Sequence, residues 1–399
     1  SRGHWSIVYN ELFEVTASGA VNVVQLPEGW SGISSYVIPD DASVENIFAP
    51  VQSELVILQN FEGMYWPTAG VNTIGNWNDH AGYQVKMETA QQVTFSGSMQ
   101  DNLTANLSEG WNYLPVLNAC DNDADELFSQ IIGNLQIVKE VAGFGVYWPQ
   151  FGINTLEAVQ PGKAYFVLVS QAVEINFPVC EDLKVSSGNQ NLTGLGDLSG
   201  LGINSTPTSH TIAFPLEACD GLAEGSIISI FNQMGICCGA ALYQNQNLVL
   251  TAFGDDPTTP QVDGLVQGEP LRFRIMNPET GNSSPLMVEF DYSLPNGENF
   301  AAHGLSAVKS MTVNDVDGLN EKRTSISIYP NPSKDVFNVE TDGENPLNWE
   351  LTDTHGSMIA IGRDQFNDFT IDIAAHPKGI YYLKITQGGL QTVRKLVLQ

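Results

Sequence analysis

The chain has 399 residues, 42% of them apolar and 15% charged, with 37 Gly, 20 Pro and a formal net charge of −29. That length exceeds a single hydrophobic core, and the Gly and Pro content with abundant Ser, Thr and Asn favours turn-rich β structure over helical bundles. Residues 1–323 carry 10 Lys and Arg against 36 Asp and Glu, residues 324–399 carry 6 against 9, so the acid sits in the body. This argues against a nucleic-acid partner, which needs cations on phosphates. It fits a self-repelling, soluble surface or divalent cations. No apolar run approaches the roughly twenty residues of a membrane-spanning helix. The opening Ser1-Arg2-Gly3-His4-Trp5 contains no signal peptide and reads as a mature or trimmed start.

The first 180 residues read as a duplication. "YWPTAGVNTIG" (65–75) returns as "YWPQFGINTLE" (147–157), and the echo extends outward. Residues 26–48 align with 107–128, 53–67 with 133–149, and 80–87 with 160–169. Two copies of one module of roughly eighty residues are the economical account. Each copy reads as a Gly-Trp turn, a short strand, one helix (near 43–52 and 124–133), a strand (Leu55–Gln59; Leu135–Lys139) and the aromatic phrase. Asp121, Asp123 and Asp125 lack the Gly and Glu of a calcium-binding loop. They suit the N-terminus of the second helix instead. Trp66-Pro67 and Trp148-Pro149 set extended corners. Gly70 and Gly152 permit positive φ, and Asn72 and Asn154 can bond the loop backbone. Trp30, Trp66, Trp111 and Trp148 then have two readings. As loop staples, Trp66 and Trp148 are buried. As a platform, the four would bind a carbohydrate or extracellular glycan.

Residues 181–206 read as a linker. From His210, alternating strands with Asn, Gly and Pro turns predict a β-sandwich over residues 207–313. Cysteines stand at 120, 180, 219, 237 and 238, and an exported protein can form one or two disulfides. Cys219 is expected to pair with Cys237 or Cys238, since adjacent side chains on a strand face opposite ways. Asp255, Asp256 and Asp263 are candidate calcium ligands, with metal-free Asx turns as the competing reading. The pattern Gly254-Asp255-Asp256, Thr259, Asp263-Gly264, Gly268-Glu269 resembles a module of large secreted bacterial surface proteins, over roughly residues 208–313. That resemblance brings no activity with it.

After a short linker (314–323), residues 324–399 read as seven or so short strands, a small immunoglobulin-like sandwich. Tyr329-Pro330-Asn331-Pro332-Ser333, Phe337, Asp353 with Gly356, Gly379-Ile380-Tyr381 and Arg394-Lys395-Leu396-Val397-Leu398 strongly resemble the type A C-terminal sorting domain of type IX secretion, found in Bacteroidota. Only "SKDVF" departs, where many members carry Gly two residues before the Phe. The resemblance implies sorting-signal roles for Tyr329, Pro330, Asn331, Pro332, Gly356, Gly379, Tyr381 and Lys395. It also implies export through the periplasm and the outer-membrane translocon to the cell surface or medium. Partners would be the translocon with its shuttle and sortase components, and surface lipopolysaccharide if the tail is removed and the cargo anchored. Pro330 and Pro332 are expected to stiffen the approach to the domain as polyproline-like chain.

The chain is therefore expected to be mainly β and multidomain: repeat modules at 1–100 and 101–180, a sandwich at 207–313 and the sorting domain at 324–399. Its six His are scattered and no HExxH or GxSxG signature occurs, so no catalytic residue and no cofactor other than calcium is assigned. The expected role is a non-catalytic adhesin or scaffold. The alternative is a carbohydrate-binding accessory module or a non-catalytic portion of a secreted hydrolase.

Overall fold

A computed structural model describes residues 19–180, 201–278, 282–313, 326–341, 347–353, 357–365, 369–387 and 390–399. The protein is mainly β and multidomain, with 51% strand and 8% helix. It divides into two compact units, Ser1–Asn314 and Asp315–Gln399. The expected linkers at 181–206 and 314–323 lie largely or wholly outside the described residues.

The duplication is visible strand for strand in the first unit. One five-stranded sheet runs Gly29–Ile33, Tyr83–Met87, Leu55–Gln59, Met64–Trp66, Val71–Asn72. The other runs Gly110–Pro115, Ala164–Val169, Leu135–Glu140, Val146–Trp148, Ile153–Asn154, in the same order. Each copy has one short helix, Val44–Phe48 or Ala124–Phe128, continued by a 3-10 turn. The loop chemistry is duplicated as well. Asn72 Oδ1 accepts from Gly75 N at 2.8 Å and Asn154 Oδ1 from Glu157 N at 2.9 Å. Thr73 and Thr155 hydroxyls accept from Met64 N and Val146 N. Tyr83 and Tyr165 hydroxyls accept from Asn78 N and Gln160 N. Gly70 and Gly152 take φ of 66° and 59°, where only Gly is free of strain. The phrase recurs because each copy must satisfy the same irregular backbone. The second helix is capped by Asp123, whose Oδ1 accepts from Glu126 N at 2.9 Å. In the first copy, Asp41 takes over that acidic role from outside the helix, bonding Ser43 N and the Asn46 amide.

The third module is one seven-stranded sheet that curls over a single core. Its order is Cys237–Leu242, Ile227–Phe231, Arg272–Met276, Ser283–Asp291, Leu305–Val313, Ser209–Phe214, Leu248–Phe253. All pairings are antiparallel except Ser209–Phe214 with Leu305–Val313. The two end strands approach so closely that a Cβ on Gly239 would lie 2.2 Å from the Thr251 carbonyl oxygen. The expected sandwich thus forms by folding one sheet over, which buries Ile212, Phe214, Ile230, Leu250 and Phe273 together.

The second unit packs Ile326–Tyr329, Val336–Thr341 and Phe369–Asp372 as one sheet. The other sheet is Met358–Gln365, Leu347–Asp353, Gly379–Gln387 and Leu390–Leu398. Phe337, Leu351, Leu383 and Leu396 fill the space between them. Among the described residues no helix is long and apolar enough to cross a membrane.

Candidate functional site

The four candidate tryptophans do not form one platform. Trp30 is buried and donates from Nε1 to Asp256 Oδ2 at 2.7 Å, across the seam between the first repeat and the third module. Lys86, its cross-strand neighbour, donates to the same oxygen at 2.9 Å and to Thr258 Oγ1 at 2.7 Å. Trp148 is buried with Ile137, Ala213, Val249 and Leu305, cementing the second repeat to the third module. Its own loop contributes Phe151, edge-on at 4.8 Å. Trp66 and Trp111 are half-buried. Trp111 lies beside His303, ring centroids 5.4 Å apart and tilted by 42°, and under the Lys139 ammonium at 5.0 Å. Tryptophans that the sequence offered as ligand contacts or loop staples mainly join modules, because large rings are the most effective seam fillers.

Lys139 escaped the sequence reading. It is fully buried, its Nζ donating to Ser209 O at 3.2 Å and Ser209 Oγ at 3.0 Å across the second seam. Burial without a carboxylate partner pulls its pKa down from 10.5 to about 7. A buried histidine, His210, and a half-buried one, His303, sit close by. Burial, and then the Lys139 charge, push His210 and His303 down to about 3. Register marks Lys139 as the counterpart of Gln59 in the first copy, the one signal that could have drawn attention to it. A third seam joins the repeats. Gly32 and Gly82 lie against Ala164, and the Ser34 hydroxyl accepts from Val116 N at 3.0 Å.

The acidic triplet is hydrogen-bonded to neighbouring protein groups. Asp256 accepts from Trp30, Lys86 and Thr258, Asp263 accepts from Asp256 N, and Asp255 accepts from Asp263 N. Burial alone would raise the Asp256 pKa. The bonds from Lys86, Thr258 and Trp30 outweigh it and hold the carboxyl below its usual value. Among the described residues no group of three acidic, His or Cys side chains could hold a metal ion. Lys86 supplies a cation for Asp256, whose Oδ1 also closes an Asx turn by accepting from Thr258 N, while Asp255 and Asp263 tie the two ends of the loop together.

The expected Cys219 disulfide is also corrected. Cys219, Cys237 and Cys238 are buried thiols, and the bond joins Cys120 to Cys180 with a Cα separation of 5.9 Å. Cys219 faces the Phe214 carbonyl, while Cys237 and Cys238 turn to the Gly239 and Ile236 carbonyls. Packed into the core, such thiols behave as small apolar residues. Burial raises Cys219 to about 11 and Cys238 to about 12. Asn118 sets up the true pair. Its amide binds Asn122 Oδ1 at 2.7 Å and Pro178 O at 3.0 Å, drawing residues 178–180 towards Cys120.

In the second unit, stretches far apart in sequence meet at one edge. Asn331 Nδ2 donates to Lys395 O at 2.8 Å, and Val397 N donates to Asn331 Oδ1 at 2.9 Å. Ser333 N donates to Val397 O at 2.9 Å, and Gln399 N to Ser333 O at 2.8 Å. Gly379, Ile380, Tyr381 and Tyr382 pair with Leu398, Val397, Leu396 and Lys395 on the other side of that strand. Tyr381 is buried, its hydroxyl bonded to the Pro377 carbonyl, whereas Tyr329, Pro330, Asn331, Pro332, Gly379 and Lys395 are exposed. Gly356 lies outside the described residues. The Pro-rich stretch is thus no free-standing stalk. It caps the outer edge of the last strand, where bare backbone groups would otherwise invite another chain. Residues 327–399 match the family model of the secretion system C-terminal sorting domain. The tail is a type IX secretion sorting domain.

No curated protein matches the chain. Solved structures similar to it include PorZ, a surface component of the type IX secretion system of Porphyromonas gingivalis, at 9% identity and TM-score 0.18, covering 43% of this chain and 32% of that one. A biofilm-associated protein BSP domain is 11% identical at TM-score 0.16, covering 96% and 63%. The Bacillus anthracis TIE protein is 7% identical at TM-score 0.14, covering 96% and 66%. The chain therefore spans less than two thirds of PorZ and of the BSP domain, and 66% of the TIE protein. The sorting domain marks the chain as an exported substrate of type IX secretion.

Proposed function

We propose that the chain is a non-catalytic protein of adhesin or scaffold type, secreted or held at the cell surface, with the first unit as cargo and the sorting domain as its address. The observation that carries this reading is the use of the chemistry-bearing side chains of the first unit. Asp256 is tied to Lys86 and Trp30, and Lys139 to Ser209. His210 lies between the Ser306 hydroxyl and Ala301 N, and three thiols are buried. Each serves a seam or a core, which supports a rigid three-module body built to present its surface. Anchorage to lipopolysaccharide after removal of the tail, with neither calcium nor another cofactor required, belongs to the same proposal.

The test is to express the full chain in a type IX-competent cell, collect the surface and medium fractions, and assay attachment to cells and polysaccharides beside a broad hydrolase screen. Attachment without turnover is the expected result. Turnover of any glycan or peptide substrate, abolished by a single substitution in the body, would overturn the non-catalytic reading.

A further inference from the structure

The solvent side of the four-stranded sheet in the sorting domain does not look like solvent-facing sheet. Trp349, Leu351, Tyr381, Leu383, Leu396 and Leu398 are buried, so strand alternation turns Glu350, Thr352, Ile380, Tyr382, Lys384 and Lys395 outward. Register then lays out one row, Met358 beside Thr352, Thr352 beside Tyr382, and Tyr382 beside Lys395. A second row sets Ile361 beside Glu350 and Glu350 beside Lys384, the last two ion-paired at 3.8 Å. The outer face of an antiparallel sheet is ordinarily polar. Here Met358 is 58% exposed, Ile361 45%, Tyr382 41% and Ile380 36%. Four large apolar side chains gathered on one face of so small a domain mark an interaction surface.

We propose that this face is where a component of the secretion machinery docks, through an apolar surface bearing a carboxylate opposite Lys395. The proposal rests on the sorting reading above and names the surface that is read. Two arguments select that occupant. Ile380 and Lys395 belong to the Gly379-Ile380-Tyr381 and Arg394-Lys395-Leu396-Val397-Leu398 motifs by which the tail resembles sorting domains, and they sit within the face, so it is continuous with those motifs. Tyr381, by contrast, is enclosed and cannot be read without unfolding the domain. The exposed Lys395 at the rim favours an acidic partner and disfavours a basic one.

The experiment uses the full chain in a type IX-competent cell, with the surface fraction measured by protease accessibility. Three forms are compared with the native chain: the triple variant Met358→Gln, Ile361→Gln, Tyr382→Gln; the single variant Lys395→Glu; and a control, Ser327→Gln, on the opposite sheet. The triple variant should lose about tenfold of its surface fraction, as for truncation of interface anchors, and accumulate in the periplasm with an unchanged melting midpoint. Lys395→Glu, which leaves the apolar packing alone, should lose export in the same direction, and the control should not. Native export of both folded variants overturns the docking face. If light scattering shows a native dimer that the triple variant dissociates, the occupant is a second copy and the proposal is likewise overturned. Export of a chain lacking residues 327–399 would overturn the sorting reading itself, a result distinct from either.

Discussion

Replacing Lys139 by Met should stabilise the protein near neutral pH. The ammonium is fully buried, with two bonds to Ser209 and the Trp111 face as its surroundings. Its pKa falls from 10.5 to about 7, a difference of roughly 3.5 units, or about 5 kcal/mol of penalty on the charged form. The sign follows from proton counting. Between pH 7 and 10.5 the unfolded chain holds the proton and the folded one does not. Stability therefore rises with pH across that window, by about 1.4 kcal/mol per unit. Below pH 7 both states are protonated and the whole penalty is present. Met fills the same volume and removes it, so a gain of a few kcal/mol is expected at pH 6, offset in part by the lost bonds. The gain should shrink steadily towards pH 9.5. His210 and His303, whose depressed values act between about pH 3 and 6.5, stay outside the window from pH 7 to 10.5, and at pH 6 they act in the native and variant proteins alike. Calorimetric midpoints of the full-length native and Lys139→Met proteins at pH 6, 7, 8, 9 and 9.5 give the answer. A difference that is constant with pH, or a variant less stable at pH 6, would refute the reasoning.

Four further outcomes are expected. Glu157 holds φ at 61° where the first copy has Gly75 at 70°, so Glu157→Gly should raise stability by about 0.5–1 kcal/mol in thermal melts. Asp256→Asn leaves Lys86 without its charge partner and should lose about 3 kcal/mol at pH 7. Because the Asp256 pKa is held low, that loss should fade as pH drops below 3.8, and Lys86→Met in the same chain should recover part of it. Reducing the Cys120–Cys180 bond, which closes a separation of 60 residues, should lower stability by about 4 kcal/mol on the chain-entropy estimate, measured by denaturant unfolding of the reduced and oxidised protein. Asn331→Ala removes both side-chain bonds to the last strand, so amide exchange at Val397 should quicken by about tenfold, the equivalent of one net hydrogen bond.

The sequence by itself determined everything whose cause is local. The repeat was legible because a positive φ demands Gly and an irregular loop demands an Asn and a Thr at fixed places, so Gly70, Asn72 and Thr73 reappear as Gly152, Asn154 and Thr155. The sorting tail was legible for a similar reason, its turn and strand residues being dictated within short stretches. What each side chain touches at long range was decided only by the tertiary structure. Trp30 meets Asp256 across 226 positions, Lys139 meets Ser209 across 70, and Asn331 meets Val397 across 66. Spacing along the chain carries no record of such pairs. The cysteines make the point most directly. Cys219 and the adjacent pair 237–238 look close in sequence, yet a turn and a strand aim their sulphurs at separate carbonyls. Cys120 and Cys180 meet because an asparagine network folds one end of the second repeat onto the other.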